Sequence, residues 1–214
     1  MKSISILLLC ITLSISWDYL LFVQVWPGSW LDGLDGVDQD RTNTFNNTYF
    51  TIHGLWPEYF NSTWPEFCNK DKFNLTAIQN ITSDLKIFWT NFHNPLTLWT
   101  HEFQKHASCA KSDPLLNSEY KYFLTGLELR NQMNLYTMLN NSNIVPSNTA
   151  KYTTNQIQKA VYLGINHTAV IVCDKNNILN EIRVCLNKNL ELFDCPISEI
   201  KEQCQEEYII YNQV

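Results

Sequence analysis

The chain has 214 residues, 45% hydrophobic and 13% aromatic. That is enough apolar material for one domain with a sizeable core, and it excludes a disordered chain. The formal net charge of −6 excludes a broad electrostatic grip on nucleic acid, so affinity for a polyanion has to come from local contacts.

In chain order, Lys2 precedes the apolar run ISILLLCITLSI, and Ser14-Ile15-Ser16 supplies a small-x-small end. This pattern reads as a secretory signal peptide over 1–16, cleaved near Ser16. The run is short for a membrane span and Asp18 follows it closely, so no stable membrane association is expected. Losing Lys2 from 15 basic residues leaves 14 against 21 acidic ones, a net of −7 for the domain 17–214. Cys10 leaves with the peptide. The remaining Cys68, Cys109, Cys173, Cys185, Cys195 and Cys204 form an even set. In an exported chain this implies three disulfides, with the pairing open. The absence of a CxxC pair argues against metal binding by these cysteines. Asn-x-Ser/Thr sequons stand at Asn46, Asn61, Asn74, Asn80, Asn140 and Asn166. In a secreted chain most should be exposed, and some glycosylated.

Asp18 to Trp26 (DYLLFVQVW) reads as a buried strand that Pro27-Gly28 ends. Residues 28–48 form a loop. Tyr49 to Trp56 (YFTIHGLW) follows as a strand, with Phe50 and Ile52 on one face and Thr51 and His53 on the other. Gly54 admits a close approach to the backbone. Residues 57–75 form a loop carrying Trp64, Cys68 and two of the sequons. Ile78, Ile81, Leu85, Phe88 and Phe92 predict a helix over Thr76 to Phe92, which Asn94-Pro95 breaks. Leu98 to Cys109 is the next helix. A longer one runs from about Ser118 to Leu139, and a shorter one over Thr153 to Leu163 with Thr153 and Thr154 as caps. Thr168 to Cys173, Ile178 to Leu186 and Leu190 to Phe193 read as strands. Helices and strands mix without a βαβ alternation. That predicts one α+β, disulfide-bonded domain in which a largely antiparallel sheet packs with several helices.

The chemistry concentrates in LWTHEFQKHASC, residues 98–109. At about 100° per residue, a helix sets His101 one turn from Lys105 and Glu102 one turn from His106. All four fall on an arc of about 140°. The segment looks close to the HExxH zinc motif, but its histidines are five apart rather than four. On a regular helix they diverge by about 140°, which argues against a shared ion. No GxSxG occurs, and every mature cysteine has a prospective partner, so a serine or cysteine nucleophile is disfavoured. Two histidines without a metal suit RNA cleavage by its own 2′-hydroxyl: one imidazole takes the hydroxyl proton and the other protonates the leaving 5′-oxygen. Lys105 and His101 can hold the phosphate as its charge builds.

FTIHGLWP (Phe50 to Pro57) and HEFQKHASC (His101 to Cys109) resemble the two active-site segments of the ribonuclease T2 family. WPGS after the first strand, YFLTGLELRNQMNLYTML, EIRVCL and DCP are similar to its plant secreted members, the self-incompatibility ribonucleases and their relatives. The resemblance implies a metal-independent endoribonuclease without a cofactor, cutting single-stranded RNA through 2′,3′-cyclic phosphates. It implies His53 as general acid and His106 as general base, with Glu102 and Lys105 assisting at the phosphate. It gives His101 a place on that phosphate, Trp56 a stacked base, Glu58 a hydrogen bond to the base edge, and Gln24 a substrate contact. It pairs Cys68 with Cys109, Cys173 with Cys204 and Cys185 with Cys195. The protein is expected as a monomer, with a protein partner if it serves self-incompatibility. Phe103 replaces a usual tryptophan, and Ala107-Ser108 a usual Gly-Thr. An N-terminal cysteine of relatives is absent near Trp30-Leu31. The acidic charge is unlike the basic self-incompatibility type. The competing reading is an inactive secreted recognition glycoprotein that keeps the fold; the full set of proton-handling residues disfavours it.

Overall fold

A computed structural model describes residues 16–31, 48–91 and 94–214. Residues 1–15 of the expected signal peptide, most of the first loop with Asn46, Phe92 and His93 lie outside the described residues. The strands are β1 (Tyr19–Val25), β2 (Thr51–Glu58), β3 (Lys151–Tyr152), β4 (Val170–Cys173), β5 (Leu179–Leu186), β6 (Leu192–Phe193) and β7 (Ile209–Ile210). All pair antiparallel. The main sheet runs β2-β1-β5-β4 with β6 added to β5, and β3 pairs with β7 in a second, two-stranded sheet. β1 is central and buried along its whole length, as its unbroken apolar run requires.

The helices are α1 (Gly28–Leu31), α2 (Thr82–Phe88), α3 (Pro95–Glu102), α4 (Ser108–Ala110), α5 (Glu119–Gln132), α6 (Leu135–Asn141), α7 (Thr154–Ile165) and α8 (Ile197–Ile200). The helix predicted over 76–92 opens instead as a 3-10 turn, Leu75–Ile81, and only then becomes α2. Asn94-Pro95 starts α3 as well as ending what precedes it: the Asn94 side chain accepts from the Leu96 N–H, with Pro95 at the first turn. The long helix expected from Ser118 splits because Asn134 caps a new one, accepting from the Thr137 N–H. α7 begins in a capping box of Thr153 and Gln156. β3, β7 and α8 escaped the sequence reading because elements of two to four residues carry no periodicity.

The two faces of the sheet differ. Leu20, Phe22, Ile52, Leu55, Ile182 and Val184 join the main core, to which the helices contribute Ile78, Leu85, Trp89, Tyr122, Phe123 and Ile157. Tyr19, Leu21, Val23, Val170 and Cys185 form a smaller cluster on the opposite face. Register explains how that second face acquires its polar side chains. Val23 pairs with Gly54, but Gln24 pairs with Ile52, so the ladder skips His53. This β-bulge lets Ile52 and Leu55, three residues apart, both enter the main core. It also sends His53 and Trp56 to the same side. Strict alternation would have pointed them to opposite faces. Across β1, Arg183 lies opposite Val23 and Glu181 opposite Val25, on that same side.

Buried hydrogen bonds fix β2 from beneath. The Trp89 indole donates to the His53 carbonyl (3.0 Å), and the Tyr122 hydroxyl donates to the Leu55 carbonyl (2.8 Å). Trp99 donates in turn to the Trp89 carbonyl (2.6 Å). Disulfides join Cys68 to Cys109, Cys173 to Cys204 and Cys185 to Cys195. The first ties the loop after β2 to α4.

Gly126 of α5 lies flat against Trp89, and a Cβ there would overlap the indole ring. Overpacking of this kind costs about 1–3 kcal/mol. The gain in helix propensity, about 1 kcal/mol, offsets only part. Gly126→Ala is therefore expected to lower the urea midpoint, read by far-UV circular dichroism at constant m-value.

Candidate active site

The side chains that face one another come from four places. β2 supplies His53, Trp56 and Glu58, and β5 supplies Arg183. The segment from α3 onward supplies His101, Glu102, Lys105 and His106, and α8 supplies Ser198 and Glu199. They line a cleft of about 510 Å³.

Trp56 is its hub. The indole N–H donates to the Glu102 carboxylate at 2.8 Å. The ring stacks on His106 with centroids 5.1 Å apart and planes at 22°. His53 meets it edge-on, also at 5.1 Å. The Arg183 guanidinium lies 5.9 Å from its centroid. One indole thus bridges both imidazoles, each from a different element. The expected stacking of Trp56 on a base meets a ring whose neighbours are already the site's own side chains. An exposed aromatic, Trp64, stands on the cleft wall instead. The Trp56–Glu102 bond crosses directly over Gly54, where any Cβ would collide with both partners.

His53 is held through Nδ1, 2.7 Å from Glu181 Oε1. The other carboxylate oxygen takes Arg183 Nε at 2.9 Å and a second guanidinium nitrogen at 2.8 Å. Burial alone would lower the His53 pKa, but the Glu181 hydrogen bond and charge overcome it and hold the imidazole above its usual value. Burial would raise the pKa of Glu181; His53 and Arg183 outweigh it and keep the carboxylate ionised below the ordinary range. Sequence reasoning passed over Glu181 and Arg183. A lone charge pair two apart on a strand looks like a solvated edge, and only the fold brings it 128 residues back to His53.

The helical cluster differs from the regular helix assumed for it. Phe103–Ala107 form a π turn, closed by the Ser108 N–H on the Phe103 carbonyl. Residues five apart then come together. His101 and His106, which a regular α-helix would set far round from one another, have ring centroids 6.5 Å apart. Ser108 repairs the ladder: its hydroxyl donates to the Gln104 carbonyl (2.7 Å) and accepts from the Cys68 N–H (3.0 Å). Both departures from the familiar motif therefore serve packing, since Phe103 is buried against Phe73.

Burial, reinforced by Lys105, His101 and His53, drives the His106 pKa down to about 2, so its imidazole is neutral. Its Nδ1 has no hydrogen-bond partner among the described residues. Burial and the cations Lys105 and His53 also lower the pKa of His101. Glu102 is 1% exposed. Burial pushes its pKa up to about 7 despite His53, the Trp56 N–H and Lys105. Its carboxyl thus braces Trp56 within the cleft. Lys105 Nζ lies 3.8 Å from Glu66.

Glu58 lines the cleft but is buried, and burial followed by the nearby Glu199 carboxylate pushes its pKa up to about 8. Glu199 itself accepts from the Tyr19 hydroxyl at 2.8 Å. Gln24 is not brought to this cleft. It is buried on the opposite side of the sheet, its amide donating to the Met133 carbonyl at 3.1 Å. Alternation along β1 decides this, because Gln24 shares the core face with Leu20 and Phe22. The sequons at Asn61, Asn74, Asn80, Asn140 and Asn166 are all exposed.

Compared with known proteins, residues 17–195 match the Ribonuclease T2 family. The chain belongs to this family. Ribonuclease DdI of Dictyostelium discoideum is 35% identical over 84% of this chain and 78% of its own length. The tomato (Solanum lycopersicum) protein described as intracellular ribonuclease LX is 33% identical over 90% of this chain and 82% of its own. The crystal structure of RNase NT in complex with 5′-AMP superposes with a TM-score of 0.80 at 29% identity, covering 93% of this chain and 100% of that one. Family and fold together make the chain an endoribonuclease of the T2 type.

Because Gly54 lets the indole reach Glu102, Gly54→Ala is expected to push Trp56 away and carry both imidazoles with it. A displacement of about 1 Å costs on the order of 10²-fold in rate. Initial rates on single-stranded RNA, read beside a thermal melt, check this. Wild-type kcat/KM in the variant would show that the bridge is not needed.

Proposed function

We propose that the chain cleaves single-stranded RNA by transesterification, with His106 as general base and His53 as general acid. The observation that carries the reading is the opposite poise of two imidazoles packed on one indole. His106, stripped of its proton by burial and by neighbouring cations, can accept one from a 2′-hydroxyl. His53, kept protonated by Glu181, can give one to the departing 5′-oxygen. Lys105 and His101 are placed to meet the phosphate as negative charge builds on it. A phosphate anion among them also cancels the positive field that depresses His106, so the base gains strength as substrate binds. Glu102 acts through Trp56, holding the indole that spaces the imidazoles. Trp64 offers the open aromatic face that a base needs, and Glu58 a carboxyl for a base edge.

We further propose that the protein is secreted as a disulfide-bonded glycoprotein. The apolar leader, the exposed sequons and the three disulfides support this. Among the described residues no helix is long and apolar enough to cross a membrane. One relative's description as intracellular shows that the fold does not decide the compartment. A self-incompatibility role would add a protein partner, and the acidic balance is unlike the basic proteins of that group.

Purified protein incubated with a short RNA and EDTA is expected to leave 2′,3′-cyclic phosphate ends. His53→Ala or His106→Ala should cost roughly 10²-fold or more. Wild-type-like rates in either variant would defeat the assignment.

Glu181 sets a second test. The folded pKa of His53 lies above its ordinary value of about 6.5. The acid is therefore fully protonated below that value and is lost as pH rises through the raised one. Glu181→Gln removes the carboxylate charge beside His53 and leaves Arg183 with Glu199 as its carboxylate, 3.9 Å away, so the alkaline limb of kcat/KM should move to lower pH. An alkaline limb that stays in place would remove Glu181 from the mechanism.

A further inference from the structure

The loop that leaves β2 displays three large aromatics to solvent: Phe60, Trp64 and Phe67 are 58%, 54% and 55% exposed. Phe60 has partners in Tyr19, 5.2 Å away, and Phe193. Trp64 belongs to the cleft wall. Phe67 is different. Its backbone sits at φ 50°, in the left-handed region that a bulky side chain avoids. The surrounding structure imposes this. The Phe67 N–H donates to the Lys105 carbonyl at 3.0 Å. The next residue, Cys68, is bonded through its N–H to the Ser108 hydroxyl and through sulfur to Cys109. A strained residue held by several independent ties marks a place where strain serves a purpose. What the strain achieves here is the display of an apolar ring beside the end of α3, which carries His101, and the π turn, which carries His106. The Phe67 ring lies 6.3 Å from the His101 ring, edge to face at 79°, outside the side chains that line the cleft.

We propose that Phe67 is a stacking platform for one base of the RNA strand, one nucleotide beyond the pair that flanks the scissile phosphate, on the His101 side. This rests on the ribonuclease reading above. The cleft holds the reacting dinucleotide, with Trp64 and Glu58 on its wall. A strand leaving past His101 and Lys105 meets Phe67 next. Single-stranded RNA is held in this way, by cations along the backbone and aromatic rings under successive bases. The platform has no hydrogen-bonding edge, so it grips any base and adds length preference without sequence preference.

The test compares kcat/KM for a dinucleoside monophosphate with kcat/KM for a single-stranded decanucleotide, both in EDTA. Glycine suits φ 50°, so Phe67→Gly keeps the fold. It should reduce the advantage of the decanucleotide about tenfold, through KM more than kcat. Phe67→Trp should retain that advantage. Phe67→Leu, apolar but without a π face, should lose it. The subsite is overturned if Phe67→Gly keeps the wild-type ratio, if both substrates lose equally, or if Phe67→Leu matches wild type. A wild-type protein that cleaves neither substrate removes the ribonuclease reading and the subsite with it. One that cleaves both, with the ratio intact in Phe67→Gly, sinks the subsite alone.

Discussion

The hydrogen bond between the Trp56 indole and the Glu102 carboxylate is the interaction on which the site depends. It is the direct polar link between the side chains of two elements that sequence keeps apart, an edge strand and an irregular helix. Every other relation in the cleft is measured from that indole: His106 lies parallel to it, His53 meets its edge, and Arg183 approaches its ring. The link exists only because the strand carries no side chain at Gly54, under the point where donor and acceptor meet. A burial that leaves Glu102 half-neutral near pH 7 also removes it from competition with the phosphate for cations. Burial likewise keeps Glu58 largely neutral on the cleft wall, so the positive groups of the cleft, Lys105 and Arg183, are not all cancelled in an acidic protein.

A second layer supports this one. Arg183 locks Glu181, Glu181 locks His53, and the carbonyls of His53 and Leu55 receive the Trp89 indole and the Tyr122 hydroxyl from the main core. Tryptophans and tyrosines are costly to bury unless their polar tips find partners. Here the partners are the backbone of the strand that carries His53 and Trp56, so the same bonds that satisfy the core hold the site in place.

Much of this was legible in the sequence, for physical reasons. The apolar run of β1, the helical spacing of Ile78, Leu85, Phe123 and Ile157, the helix start near Ser118 and the cap at Thr153 report local rules that the fold obeys. The antiparallel α+β architecture follows from the order of those elements. The identities of His101, Lys105 and His106 were visible because histidines and a lysine at that density are poor core material, and His53 was singled out by the resemblance of FTIHGLWP. Their arrangement was not. Periodicity assumes regular elements, and the site is built where two elements depart from regularity, at the bulge in β2 and the π turn after α3. Nor could spacing reveal Glu181 and Arg183, whose meaning comes from a strand pairing far along the chain, or move Gln24 off the cleft, which is a matter of which face of β1 it shares.

The bulge carries an evolutionary consequence. It stores one surplus residue in β2, with Ile52 and Leu55 in the main core on either side of it and the Trp89 indole on its carbonyl. Loss of one codon at position 53 or 54 would restore a regular ladder and still leave Ile52 and Leu55 on one face, two residues apart. Lineages of this architecture that abandon catalysis while keeping a stable secreted scaffold have a one-step route open to them, and a shortened second strand would be its signature.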